Sequence, residues 1–271
     1  PNPRWRLVCR SALIAAPGAE ETLHWCLRSL VTVAEEVVIA DCGMSAEALR
    51  VIDTYRWQPL DGKEKRAWLP IKVVPADDPK VHGFETPRNT ALGHCTQDWI
   101  LWIDTDEKLI QPNCLTKYLR PSVYQGYSIR QHHFACDTVF EPDLPVRLFR
   151  NNGRLRFIGM IHEHPEEEVN SGPGRTIIIN DVHIPHVGYL VESGRRTKFH
   201  RNWPMLQADV AKYPTRKLQK HMIMRDEVLR LTYELQQNGG KANEEMRARA
   251  QTVIDLWREH FRAKGHFTNS D

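Results

Sequence analysis

The chain has 271 residues, enough for one large domain or one domain with a small appendage. Hydrophobic residues make up 41% and charged residues 26%, which excludes a disordered or fibrous chain. The net charge of +3 is too small for a uniform nucleic-acid binder, and no run approaches the ~20 apolar residues of a membrane span.

The opening Pro1-Asn2-Pro3-Arg4-Trp5 does not read as a signal peptide and suggests a mature or trimmed start. Residues 6–16 contain apolar stretches compatible with a first strand, and Pro17-Gly18 then breaks the chain. Leu23, Cys26, Leu27, Leu30 and Val31 form a helical stripe over residues 20–33, with Glu20 and Glu21 placed to favour the helix dipole. Residues 36–40 read as a second, buried strand that runs into Asp41-Cys42-Gly43. Ser45 is a candidate cap for a helix over residues 46–55. A polar insertion over 57–70 precedes a third strand, Ile71-Lys72-Val73-Val74. A helix is expected from about Pro87, a favourable first helical residue. The fourth strand is Trp99-Ile100-Leu101-Trp102-Ile103. This β-α-β-α-β opening is that of a parallel α/β sheet. No G-x-G-x-x-G follows the first strand, which argues against a dinucleotide cofactor.

Beyond the fourth strand the pattern changes. Residues 115–119 read as a short helix, and 126–130, 134–140 and 146–150 as strands. Residues 154–161, 175–179 and 182–187 also read as extended. From Gly194 to about Lys264 the chain reads as helical, divided at Gly239-Gly240. In it Val210, Leu218, Met222, Met224, Val228, Leu229, Leu231 and Leu235 form an apolar stripe expected to pack. The expected organisation is a domain over residues 1–194, with a nucleotide-binding part over 1–110 and an acceptor-side part over 111–194, followed by a helical extension over 195–271.

Chemistry concentrates where the fourth strand meets Asp104-Thr105-Asp106-Glu107. A four-residue apolar run bounded by polar residues is a strand buried on both faces, and open α/β sheets bind ligands beyond the carboxyl ends of their strands. Carboxylates at i and i+2 there can turn toward one hard cation, with diphosphate oxygens completing its coordination. Acids after a strand also cap helices and turns, so the pattern alone does not decide. None of Cys9, Cys26, Cys42, Cys95, Cys114 and Cys136 forms a Cys-x-x-Cys pair or has zinc-finger spacing; this cysteine usage fits a reducing, cytoplasmic setting. Residues 195–230 are rich in Arg and Lys, either as a solvated helix face or as a surface for phosphates.

The order of these features resembles the family 2 glycosyltransferases of GT-A fold, over about residues 6–205. The segments that carry the resemblance are Val37-Val38-Ile39-Ala40-Asp41-Cys42-Gly43, Arg88-Asn89-Thr90-Ala91-Leu92, Asp104-Thr105-Asp106-Glu107, the acceptor-side segments Val146-Arg147-Leu148-Phe149-Arg150-Asn151 and Gly159-Met160-Ile161-His162-Glu163, and His186-Val187-Gly188-Tyr189, followed by Lys198 and Arg201-Asn202. It implies an α/β fold with a Rossmann-like, mostly parallel central sheet flanked by helices, and a UDP-sugar donor. By the resemblance Asp41 meets the uracil or ribose. Asp106 is the best metal ligand, with Asp104 as a second ligand or a contact to ribose or metal-bound water, and His186 as a candidate third. A manganese or magnesium ion is implied; an imidazole ligand favours manganese. Glu163 is the candidate general base, between His162 and His164. A carboxylate base without a covalent step implies inversion at the anomeric carbon. Arg88 pairs with a phosphate or fixes Asp104, or forms a structural Arg–Asp pair. Lys198 and Arg201 are candidates for covering the diphosphate. Many members carry Lys-Asn-Glu where this chain has Pro17-Gly18-Ala19, a departure at the nucleotide.

The expected activity is inverting, metal-dependent sugar transfer to an acceptor hydroxyl. A saccharide or glycolipid is the first choice of acceptor, and a protein or modified nucleobase stays open, nucleic acid entering only as acceptor. The alternatives are a nucleotidyltransferase-like enzyme, which would want a Gly-rich signature with a Lys near the start, and a non-catalytic binding module derived from a transferase.

Overall fold

A computed structural model describes residues 9–15, 20–56, 69–119, 124–135, 142–165, 176–189, 192–214 and 216–262. The chain divides into two compact units, residues 1–195 and 196–271.

The first unit is built on a seven-stranded sheet of order β3-β2-β1-β4-β6-β5-β7. The strands are β1 Cys9–Ala15, β2 Ala34–Asp41, β3 Ile71–Pro75, β4 Trp99–Trp102, β5 Gly126–Ala135, β6 Val146–Arg150 and β7 Thr176–Tyr189. The first four are mutually parallel, so their carboxyl ends share one edge. β6 is antiparallel to both β4 and β5, and β7 returns parallel to β5. The connecting helices are α1 Glu20–Leu30, α2 Ala46–Tyr55, the single turn α3 Pro79–His82, and α4 Glu85–Gly93. This is the expected α/β class with a largely parallel sheet flanked by helices.

The reason lies in strand alternation. Val37 and Ile39 of β2, with Trp99, Leu101 and Ile103 at β4, face a layer formed by Leu23, Cys26, Leu27 and Leu30 of α1 and by Ala48 and Ile52 of α2. Val38, Ala40, Ile100 and Trp102 face the opposite layer, with Ala91 and Leu92 of α4. Successive side chains of a strand point to opposite faces, so a run that is apolar at every position must be covered twice. Each fully buried aliphatic side chain contributes about 1.5–3 kcal/mol relative to exposure. Ser45 caps α2, its Oγ accepting from Ala48 N at 3.1 Å.

Several boundaries differ from the sequence reading. The polar insertion falls almost wholly outside the described residues, as do Pro17, Gly18 and Ala19. α4 starts at Glu85, two residues before Pro87. The helix expected over 115–119 is a 3-10 helix, Pro112–Lys117. β5 runs through residues 126–135, so 130 and 134 belong to one strand; residues 136–141 lie outside the described set. Residues 154–161 are not a strand; only an isolated bridge pairs Ile158 with His164. The two extended segments over 175–187 are one 14-residue strand, whose register against β5 shifts at irregularities. A register shift breaks the period-2 pattern that sequence reading depends on.

The second unit is helical: α5 Glu192–Lys212, α6 Lys217–Gln237 and α7 Glu244–Arg262. The helix breaks at Gly239 and Gly240, both at positive φ, as expected. It also breaks between Lys212 and Lys217, which the sequence reading did not anticipate. Pro214 lies in that break, and it lacks the N–H that would continue a helix. Arg249 of α7 ties to α6 through Glu227 and Glu234. Of the basic residues, Arg216 pairs with Asp209, Arg225 with Asp226 and Arg230 with Glu234. In the apolar stripe Met224 is buried, whereas Val228 and Leu229 are exposed. No helix among the described residues is long and apolar enough to cross a membrane.

Candidate active site

The site lies at the carboxyl edge of the parallel strands. β4 ends at Trp102, and Asp104 to Glu107 turn beyond it. Glu107 holds that turn from inside: its N–H donates to Asp104 O at 3.1 Å, and its Oε2 accepts from Asp104 N at 2.8 Å. Its Oε1 accepts from Arg147 Nη2 at 2.7 Å and from Gln131 Nε2. Glu107 and Arg147 are each only 2% exposed. Burial pushes the Glu107 carboxyl above its ordinary range, against the pull of Arg147. A buried charge persists only when paired, so this ion pair is what allows an acidic loop to root in the core.

Arg88 connects the loop to the segment that carries Glu163. Its Nη2 donates to Asp104 Oδ1 at 2.9 Å and its Nε donates to Glu163 Oε1. The guanidinium groups of Arg88 and Arg147 both lie over the Trp102 ring, at 4.2 and 3.7 Å from its centroid. Burial favours the neutral form of Asp104, but Arg88 and Arg147 outweigh it and hold the carboxyl below its ordinary range. Asp104 and Glu163 in turn keep Arg88 charged despite burial.

The segment that carries Glu163 is fastened to α4. The Asn89 side chain donates to Phe157 O at 2.9 Å and accepts from Phe157 N at 2.8 Å. Phe84 N donates to Met160 O at 2.8 Å, and Glu85 Oε2 accepts from Gly159 N. Gly83, at φ 84°, lies so close that a Cβ there would sit 2.6 Å from Met160 Cα. His162 adopts φ 51°, an uncommon conformation for a residue with a Cβ, immediately before Glu163. Consecutive residues Arg88 and Asn89 thus do two jobs, Asn89 gripping the backbone of the Glu163 segment and Arg88 gripping its carboxylate.

β7 brings the histidine. Residues 106–110 run antiparallel to it through Val187 N to Asp106 O at 3.1 Å, Lys108 N to Pro185 O at 3.1 Å and Ile110 N to His183 O at 2.9 Å. This pairing sets His186 Nε2 3.1 Å from Asp106 Oδ2. On the other side, His186 Nδ1 lies 2.8 Å from His133 Nδ1.

Two groups of sequence-expected residues are therefore brought together: Arg88 with Asp104 and Glu163, and Asp106 with His186. Asp41 ends β2, separated from β4 by β1. Its Oδ1 accepts from Gly43 N at 2.9 Å and Met44 N at 2.7 Å, which shapes the loop after β2. Lys198 and Arg201 lie on α5 in the second unit. The Lys198 side chain is outside the described set, and Arg201 Nε donates to Asn202 Oδ1. Sequence reasoning placed Arg147 in an acceptor-side segment but gave it no role of its own, missed Gln131, and read Glu107 only as one of a run of acids. A signal was present: Arg147 interrupts the apolar run Val146-Leu148-Phe149, and a charge inside a buried strand requires a buried partner.

Among the described residues, no three His, Cys, Asp or Glu side chains are arranged to hold a metal by themselves. Asp104, a proposed ligand, is turned toward Arg88. Asp106 and His186 remain as a two-donor set, which suits an ion that takes its other ligands from substrate phosphate and water. The charge balance agrees: the carboxylates of Asp104, Asp106, Glu107 and Glu163 outnumber the guanidinium groups of Arg88 and Arg147 by two.

No family model matches the chain. Over 151 residues, 49% of the chain, it is 25% identical to the SPbeta prophage-derived glycosyltransferase SunS of Bacillus subtilis (strain 168) and to the glycosyltransferase SunS of Bacillus phage SPbeta. The match spans about a third of the length of these curated relatives. Among solved structures, the mannosyltransferase PcManGT from Pyrobaculum calidifontis, in complex with GDP-Man and Mn2+, aligns with a TM-score of 0.54 at 15% identity, over 98% of this chain and 85% of that one. S. aureus TarS 1-349 aligns with a TM-score of 0.51 at 12% identity, over 93% and 81%. The likeness to these solved structures is one of fold, the GT-A fold.

Proposed function

We propose that this protein is an inverting, metal-dependent glycosyltransferase that moves a sugar from a UDP-sugar to an acceptor hydroxyl, with a saccharide or glycolipid as the first choice of acceptor. The observation that carries the reading is the pairing of Asp106 with His186 at the end of β4, beside the Arg88–Asp104–Glu163 bridge. Sugar transfer requires that a leaving diphosphate be stabilised and an acceptor hydroxyl be deprotonated. When bound, a divalent cation, manganese before magnesium, supplies the first as a Lewis acid. Asp106 and His186 are the residues that would hold it. The complex of PcManGT with GDP-Man and Mn2+ supports the pairing of a nucleotide sugar with such an ion in this fold.

Asp41 is the candidate for the uracil or ribose. Glu163 is the candidate base, poised by Arg88 through one carboxylate oxygen. The bond from Arg88 Nε holds that carboxylate in place. Trp102 and the buried Glu107–Arg147 pair keep both groups fixed, so little reorganisation is needed during reaction.

The test is calorimetric titration with UDP and GDP, with and without Mn2+, on the wild type and Asp106→Ala, followed by turnover of a UDP-sugar panel. Expected is UDP binding that requires Mn2+ and disappears in the variant. Absent UDP binding, or metal-independent binding untouched by the substitution, would overturn the reading. Preference for GDP would keep the fold assignment but replace the donor.

A further inference from the structure

Behind His186 stands a second histidine that the proposed chemistry does not use. His133 is directly opposite His186 in the β5–β7 register, and the two rings meet edge to face with centroids 5.0 Å apart. His133 Nδ1 lies 2.8 Å from His186 Nδ1, and its Nε2 lies 2.9 Å from Asp143 Oδ2. Asp143 is placed by backbone pairing with Gln131 of β5: Gln131 N donates to Asp143 O at 2.9 Å, and Asp143 N to Gln131 O at 3.1 Å. The whole row Asp143–His133–His186–Asp106 is thus set by main-chain bridges on both sides.

The row has a direction. A carboxylate only accepts, so Asp143 takes the proton of His133 Nε2. A neutral His133 then presents a lone pair at Nδ1, and His186 must donate its Nδ1 proton to it. In a neutral His186 that leaves the lone pair on Nε2, which faces the Asp106 carboxylate at 3.1 Å. A lone pair and a carboxylate oxygen facing each other repel. Two ligands at right angles on one cation, each ~2.1 Å from it, lie ~3 Å apart. With His186 neutral the arrangement is that of two donors prepared for an ion; with His186 doubly protonated it is a charged hydrogen bond to Asp106.

We propose that His133, oriented by Asp143, is a positioning residue that fixes the Nδ1–H tautomer of His186 and so presents its Nε2 beside Asp106 to a divalent cation. Outer partners of metal-binding histidines act in this way and typically change metal affinity ten- to a hundred-fold. This rests on the metal-dependent reading above, but the tautomer itself does not require a metal.

Two readouts test it. Nitrogen-15 chemical shifts of the imidazoles at neutral pH, without metal, should show His186 protonated at Nδ1 and His133 at Nε2. A proton on His186 Nε2, with or without one on Nδ1, overturns the proposal whatever the protein binds. Mn2+ titration in the presence of UDP, read by the spin resonance of free Mn2+, should then show weakening of about ten-fold or more in His133→Ala. His133→Gln, which can still accept from His186, should recover part of it, and the exposed Asp143→Asn should give a smaller loss. Wild-type binding abolished by Asp106→Ala but unchanged in His133→Ala and Asp143→Asn would overturn the proposal and leave the metal site standing. Failure of the wild type itself to bind Mn2+ with UDP would overturn both the metal site and the positioning role of His133. Because Asp143 is exposed, its variant keeps the test interpretable if His133→Ala fails to fold.

Discussion

Replacing Arg88 with methionine should destabilise the first unit far more than replacing Glu163 with glutamine, and the two changes together should cost less than their sum. The side chains of Arg88 and Glu163 are 7% and 6% exposed, and that of Asp104 30%. Arg88→Met leaves two carboxylates without their cation, one of them almost fully buried. Breaking a buried pair in this way costs about 3–5 kcal/mol. Loss of the guanidinium from the Trp102 face adds up to ~2 kcal/mol, which methionine partly restores by sulfur–aromatic contact. Glu163→Gln removes the buried charge but keeps an acceptor, and Arg88 retains Asp104. In the double variant the stranded charge of Glu163 is gone, so a coupling of about 1.5 kcal/mol or more is expected. At ~2–4 °C per kcal/mol, Arg88→Met alone lowers the melting temperature by roughly 6–20 °C. Urea and thermal unfolding of the four proteins, followed by far-ultraviolet circular dichroism, measures this. A cost below about 1 kcal/mol for Arg88→Met, or strictly additive effects, would refute the claim that this bridge carries buried charge.

Two further outcomes follow from particular contacts. Gly83→Ala places a Cβ against Met160 Cα at a backbone φ of 84°, so it should destabilise by several kcal/mol and loosen residues 157–163; protease nicking of that segment, with Gly153→Ala as a control in open space, reads it out. In the helical unit, the hydrogen bond from Arg249 holds Glu234 below its ordinary range against burial, with Arg230 helping. Its native pKa lies below its unfolded value, so the native state binds fewer protons. The stability it contributes is present above about pH 4.5 and is lost as pH falls through the native value. Arg249→Gln should flatten the fall of melting temperature between about pH 5 and pH 3, and an unchanged slope would show that the pair contributes nothing.

Sequence alone determined the parallel half of the sheet. Runs such as Val37-Val38-Ile39-Ala40 and Ile100-Leu101-Trp102-Ile103 admit only a doubly covered strand, and Ser45, Glu20 and Glu21 mark helix starts by local chemistry. The position of Asp104 and Asp106 at a strand end was legible for the same reason. The mixed half was less so, because β7 pairs with residues 106–110 on one side and β5 on the other, and its irregular register erases the alternation that a reader of sequence follows. The helix break at Pro214 was missed because the apolar stripe continues across it. Tertiary structure decided the partners. Nothing local says that Glu107, beside the acidic pair, is an internal anchor for Arg147, or that Arg88 reaches Glu163 75 residues away. Nor does sequence show that His133 stands behind His186. Those contacts join residues distant in the chain, and their energy depends on burial, which exists only once the sheet has closed over them.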